Sequence, residues 1–389
     1  MTTDESLRPD STGLADAASS LAAAYVHIPF CARLCSYCDF NVVAGREDLV
    51  ERYVLAVIAE IEREPAWRQL DAIYVGGGTP SRVAPALLAR IVDALKRRFG
   101  IASGAEVSLE VNPEDWTPAV GAGLREAGFT RVSIGVQSFD GEVLKALGRR
   151  HTPEQAEAAV GGARLAGFSV NVDLIFGTPG ESEADWAAGV ARALASAPDH
   201  LSAYALTVER GTALSRAVAA GDPAPDADMQ ADQYEAVEEA AAAAGLVRYE
   251  VSNHARPGHT CVYNLVTWAQ GDYLAFGAGA HGHRNGERVR NVRRIDAYLD
   301  RVEAGIRPVQ GVERLDPWGR EQERLLLGLR RAAGVEAGDG GIRLLESAWG
   351  TRLERAGVIE RQGSRIRVLR PLLTDEVSRA VLALSRHDC

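Results

Sequence analysis

Short apolar, β-prone runs alternate with longer alanine-rich segments along the first half of the chain. The runs cover residues 24–28, 72–75, 107–111, 131–136, 170–176 and 201–208. Between them, helical periodicity predicts helices over 49–62, 84–99, 118–127, 153–166 and 183–195. A strand followed by a helix, six times over, predicts parallel strands with helices outside and right-handed crossovers. The fold class is therefore α/β. Six units fit a partial (β/α)6 barrel better than the closed eightfold form, and a doubly wound open sheet is the competing arrangement.

Four of the runs end in polar or glycine-rich residues: Gly76-Gly77-Gly78-Thr79, Glu110-Val111-Asn112-Pro113, Gln137-Ser138-Phe139 and Gly177-Thr178-Pro179. Parallel α/β sheets hold their ligands at the carboxyl ends of the strands, so these segments define the expected site. Further on, a helix is expected over 228–244, then an irregular stretch over 252–286 dense in Gly, His and aromatics. Past about residue 311 the texture changes to helices over 319–332 and 345–356 and a hairpin over 358–369 turning at Gln362-Gly363. The expected organisation is a disordered tail (1–20), a core barrel (21–215), a barrel extension (216–310) and a C-terminal helical, winged-helix-like module (311–389).

Composition narrows the function classes. The 389 residues and 46% hydrophobic content suit a large barrel plus a smaller module. A formal net charge of −10 argues against a nucleic-acid partner, and the cluster Arg288, Arg290, Arg293 and Arg294 reads as a solvated face. No apolar run is long enough to span a bilayer, and the N-terminus lacks the basic start and apolar stretch of a signal peptide. A cytoplasmic location is expected, with peripheral contact to a membrane protein left open.

Five cysteines, an odd number, argue against a disulfide framework. Three of them form Cys31-Ala-Arg-Leu-Cys35-Ser-Tyr-Cys38, spaced CxxxCxxC directly after the first strand. Three thiolates on a four-iron cubane leave one iron open to a small molecule. The competing metal is zinc, completed by His27 or Asp39, although zinc sites more often use CxxC pairs separated by a longer loop.

The segment from Tyr25-Val-His-Ile-Pro-Phe-Cys31 through Cys38-Asp-Phe-Asn41 resembles the start of radical S-adenosylmethionine (SAM) proteins. More narrowly it is similar to the HemN/HemW group, which contains oxygen-independent coproporphyrinogen III dehydrogenases and haem chaperones. The resemblance runs from about Tyr25 to Gly282 and continues more weakly to the C-terminus. It implies a [4Fe-4S] cluster on Cys31, Cys35 and Cys38, with SAM chelating the open iron. An electron from a donor then cleaves SAM to a 5′-deoxyadenosyl radical. It also implies that Gly77, Gly78 and Thr79 hold the SAM amino group and that Glu110 contacts SAM. Gln137, Arg149 and Asp173 match positions that help to bind a second SAM in the dehydrogenase. Tyr25, Tyr37 and Ala205 align by the same spacing. A tight turn, a salt bridge and ordinary polar barrel ends are the structural alternatives for these residues.

Two departures choose within the group. The dehydrogenase pattern has a fourth cysteine, CxxxCxxCxC, where this chain has Phe40. The segment before Tyr25 is also short and polar, ill suited to closing over a porphyrinogen. The chaperone branch carries His-Asn-x-x-Tyr-Trp farther on. Here Asn264 and Trp268 are kept, with Tyr263 and Thr267 in place of His and Tyr. The expected function is haem binding and delivery to acceptor haemoproteins, with the respiratory chain as destination. Tyr263 and Cys261 are candidate haem ligands, and His254, His259, His281 and His283 lie close by. The alternatives are coproporphyrinogen III dehydrogenation and a radical SAM methyltransferase or cyclopropanase activity.

Overall fold

The computed structural model describes residues 11–384. Six parallel strands lie side by side in chain order: β1 (Ala22–Ile28), β2 (Leu70–Gly77), β3 (Ile101–Val111), β4 (Arg131–Gln137), β5 (Ser169–Phe176) and β6 (His200–Ala205). A doubly wound sheet reverses its strand order at a switch point. These six strands run on in one direction without such a reversal, as the partial barrel requires and a doubly wound sheet does not.

The register explains why these segments became strands. Val26, Val75, Leu109, Val132 and Val170 stand opposite one another in one row across five strands, each at most 1% exposed. That row faces the surrounding helices. The adjacent row is Tyr25, Tyr74, Ser108, Arg131 and Ser169, which points the other way, into the barrel. Period-2 alternation thus places an apolar face outside and a polar face inside.

Helix starts are fixed locally. Thr152 and Ser182 form capping boxes with Gln155 and Asp185, at the helices Pro153–Leu165 and Glu183–Ala195. A seventh parallel strand, Asp272–Phe276, pairs with β1, and antiparallel strands extend both edges. The edge strands Val309–Arg314 and Val247–Glu250 do not pair with each other, so the barrel stays open among the described residues.

Several expectations need correction. The stretch 252–286 is not irregular. It contains the helix Val262–Trp268 and strands at Asn253–Ala255, Asp272–Phe276 and His281–Arg284. The main sheet runs to Arg314, so residue 311 lies inside a strand. The single helix expected over 345–356 is two, Gly338–Glu346 and Ala348–Arg355. The break falls at Ser347, whose hydroxyl caps the second helix at Gly350 N–H. Around a second core of Leu325, Leu344, Ile366 and Val377 these helices pack with the hairpin Ile359–Gln362 and Arg365–Val368. No helix among the described residues is long and apolar enough to cross a membrane.

Of the tail expected over 1–20, the first ten residues lie outside the described residues. The rest is folded: a helix over Ser11–Ala17 leads into a turn at Ala18–Ser20. Arg331 Nη1 donates to Ala15 O at 2.9 Å, Arg365 pairs with Asp16 at 2.6 Å, and Ala18 packs against Cys261 and Leu265. A chain beginning at Leu21 should therefore melt several degrees below the full chain in differential scanning calorimetry. An unchanged melting temperature would show that these contacts add nothing.

Candidate functional site

The strand ends and the cysteine loop enclose a cavity of about 380 Å³. Its walls carry Cys31, Cys35, Cys38, Tyr37, Gly77, Gly78, Thr79, Glu110, Gln137, Arg149, Asp173 and Ala205. The structure thus brings together every residue expected at the site except Tyr25. That ring lies one layer below, stacked on Tyr74 and Tyr263, with its hydroxyl donating to His27 Nδ1 at 3.0 Å.

The glycines are required by close approach. A Cβ on Gly78 would meet the Phe30 carbonyl oxygen at 2.9 Å and Cys31 Sγ at 3.0 Å. One on Gly76 would meet Glu110 Oε1 at 2.8 Å. Gly77 has φ +120°, which only glycine adopts easily, and a Cβ there would strike the His27 ring. The strand end can therefore lie against both the cysteine loop and the Glu110 carboxylate.

Glu110 accepts hydrogen bonds from Gly77 N–H at 2.9 Å and from Tyr74 OH at 3.0 Å. Asp173, on the neighbouring wall, accepts from Ser133 Oγ and Asn171 Nδ2, both at 2.8 Å. Arg149 reaches in from the segment after the helix Gly141–Leu147 and donates to Asn112 Oδ1 at 2.8 Å. Gln137 holds φ +66°, an uncommon value for a residue with a side chain, at the point where β4 ends in the cavity.

Tyr74, Glu114 and Tyr204 also line the cavity and escaped the sequence analysis, while Asn112 was marked there only as part of a polar strand end. Tyr74 carried a signal in its period-2 relation to Gly76. Glu114 sits in a turn after the strand, where periodicity says nothing.

The three thiols are free and partly exposed on one wall. Burial pushes Cys31 up from the ordinary thiol value and Cys38 up to about 11. Among the described residues no three His, Cys, Asp or Glu side chains converge on a point that would hold a single metal ion. A cubane takes each thiolate on a different iron, so its three ligands need not converge on one point. His27 cannot complete a zinc site, because its ring is spent between Tyr25 OH and Asn41 O. The donor set fits an iron–sulfur cluster.

The candidate haem ligands are placed otherwise than expected. Cys261 is 1% exposed, and the Tyr263 ring packs against both Tyr25 and Tyr74, which also touch each other. Burial raises both their pKa values, which disfavours the anionic forms that bind iron. Asn264 donates inward to Tyr249 OH at 3.2 Å, while Trp268 faces a separate cleft beside the C-terminal helices. His254 and His283 are buried, and His259 is engaged by Ser169 Oγ. Among the described histidines His281 alone is exposed.

Comparison with known proteins agrees with this geometry. Residues 25–190 match the radical SAM superfamily. Heme chaperone HemW of Mycobacterium tuberculosis is 40% identical over 382 residues, covering 95% of this chain and 97% of that protein. Heme chaperone HemW of Bacillus subtilis is 33% identical over 81% of this chain and 85% of that protein. The solved structure of coproporphyrinogen III oxidase (HemN) from Escherichia coli superimposes with a TM-score of 0.81. It is 24% identical and covers 95% of this chain and 92% of that one, a likeness of fold. The chain belongs to the radical SAM superfamily. Within it, the chain is a HemW-like protein, as its cysteine loop implied.

Burial pushes the carboxyls of Glu60, Glu110 and Glu181 from the ordinary 4.5 up to about 7. Between those values the folded chain holds protons that the unfolded chain has released. Stability in these groups is therefore fully present below about pH 4.5 and is lost as the pH rises towards 7. Glu110→Gln should flatten that decline in urea denaturation between about pH 5 and 7. Equal slopes in the variant and the parent would mean that Glu110 is ionised in the folded state.

Proposed function

We propose that this chain is a haem chaperone built on a radical SAM scaffold. It holds a [4Fe-4S] cluster on Cys31, Cys35 and Cys38, binds SAM in the adjoining cavity, and carries haem to acceptor haemoproteins in the cytoplasm or at the face of the respiratory chain. The observation that carries this reading is the cysteine loop, with three thiols around one cavity and Phe40, 63% exposed, beside them. The relatives named as heme chaperones support it.

When bound, the cluster supplies one-electron reduction of SAM, with the electron from an external donor. The chain's own residues do the rest. Gly77, Gly78 and Thr79 offer backbone and hydroxyl groups to the amino end of SAM. Glu110 fixes Gly77 and presents its carboxyl to the same space, which Asp173 and Gln137 also line. Tyr37 and Ala205 line the sides of the same space. With Cys261 and Tyr263 enclosed, the haem iron falls to His281, whose imidazole pKa is held down by partial burial and then by the neighbouring Arg290, Arg288 and Arg293, cations that suit haem carboxylates.

Replacement of Cys31, Cys35 or Cys38 by Ala should abolish the iron and sulfide content of the anaerobically reconstituted protein, and Cys261→Ala should leave it unchanged. A full cluster in Cys35→Ala would remove the basis of the reading. His281→Ala should weaken haem binding at least tenfold in Soret titrations, while Tyr263→Phe leaves the spectrum unaltered. A spectrum unchanged by His281→Ala would place the haem elsewhere.

A second reading is dehydrogenation of coproporphyrinogen III, favoured by the convergence of Gln137, Arg149 and Asp173 on the same cavity. Radical chemistry on a propionate needs an enclosed, oriented substrate. We expect no protoporphyrinogen from coproporphyrinogen III in an anaerobic assay with SAM and reductant, followed by chromatography. Clear product would give the site to the enzyme.

A further inference from the structure

Each thiol of the cysteine loop has a hydrogen-bond donor beside it, and the donors differ in charge. Thr79 Oγ1 donates to Cys31 Sγ at 3.5 Å, Arg149 Nη1 to Cys35 Sγ at 3.8 Å, and the Phe40 backbone to Cys38. Only the middle one is a cation. Asn112 governs two of the three. Its Oδ1 accepts from Arg149 Nη2 at 2.8 Å, and its Nδ2 donates to Thr79 Oγ1 at 3.4 Å. Since Thr79 Oγ1 receives that hydrogen, its own is left for the Cys31 sulfur. The Gly135 carbonyl takes a second bond from Arg149 Nη2 at 2.9 Å, which pins one edge of the guanidinium and leaves Nη1 aimed at Cys35.

We propose that Arg149, steered by Asn112, acts on the cluster itself: it raises the reduction potential of the iron–sulfur centre by hydrogen-bonding the Cys35 thiolate. Reduction adds one negative charge to the cluster. Hydrogen bonds to the sulfurs and a nearby fixed cation stabilise that more negative state. The guanidinium keeps its charge at any working pH and sits in an enclosed wall, where an opposite charge acts strongly. Arg149 is a redox-tuning residue here, and Asn112 is a positioning residue that acts through it. No bond in the protein is made or broken, since the electron comes from a low-potential one-electron donor and stays on the cluster. The inference rests on the cluster reading above.

The test is a potentiometric titration of the reconstituted full chain without SAM. Dithionite serves as reductant and the reduced cluster is followed by EPR, after iron and sulfide have been counted. Arg149→Gln should move the equilibrium about tenfold towards the oxidised cluster, a shift of about 59 mV to more negative potential for one electron. Arg149→Lys, which keeps the charge without the fork, should shift it less. Asn112→Leu should shift it in the same direction and, on top of Arg149→Gln, add only the smaller part that passes through Thr79 to Cys31. If Arg149→Gln assembles no cluster, Arg149→Lys and Asn112→Leu decide. A parent chain without a cluster would fail the proposed function. Full clusters at the parent's potential in these variants would overturn this inference alone.

Discussion

Gly78 lies so close to the cysteine loop that a methyl group there would sit 3.0 Å from Cys31 Sγ and 2.9 Å from the Phe30 carbonyl oxygen. The end of β2 can come so near because it has no side chains. It stays there because Glu110 accepts the Gly77 N–H and because Gly78 and Thr79 donate backbone hydrogen bonds to Ile28 O and Phe30 O. The thiols, the glycine-rich backbone and the carboxylate are thus parts of one contact. A ligand on the open side of a metal centre at Cys31 would meet that backbone and carboxylate first.

The barrel behind this contact is arranged to supply it. Its outer face is a continuous apolar row, and its inner face places Glu110, Ser133 and Asn171 opposite one another across three strands. Burying carboxylates there raises their proton affinity, as the Glu110 carboxyl shows. The hydrogen bonds from Gly77, Tyr74, Ser133 and Asn171 offset part of that cost, and each donor stands on a rigid strand. Elements far apart in the chain close the arrangement from outside. Asn41, where the cysteine loop ends, donates to Ala278 O and Arg293 O, both at 3.0 Å. His27 holds the same residue from within by donating to its carbonyl at 2.8 Å.

Much of this was legible in the sequence, because alternation and spacing are local signals. The six strands, their helices and the cysteine loop follow from runs of fewer than twenty residues each. Residues at the strand ends, such as Thr79, Glu110 and Gln137, were legible because parallel strands present their carboxyl ends to ligands. What stayed hidden depends on distant contacts. The segment 11–20 reads as polar tail, yet it is tied down by Arg331 and Arg365, more than three hundred residues away. Tyr263 and Cys261 read as haem ligands in an irregular stretch, yet the helix at Val262–Trp268 packs against β1 and β2, burying Cys261 and half-burying Tyr263. Asn112 read only as the polar end of a strand, and its link between Thr79 and Arg149 needed three dimensions.

The central claim is that the three thiolates leave one iron open towards the Gly77, Gly78 and Glu110 wall, and that SAM binds there. Mössbauer spectra of the protein reconstituted with iron-57 test it most directly, recorded without and with SAM. The account predicts four irons in the cluster, one of which changes its isomer shift and quadrupole splitting when SAM is added, while the other three do not. Spectra identical with and without SAM, at concentrations where SAM is bound, would contradict it.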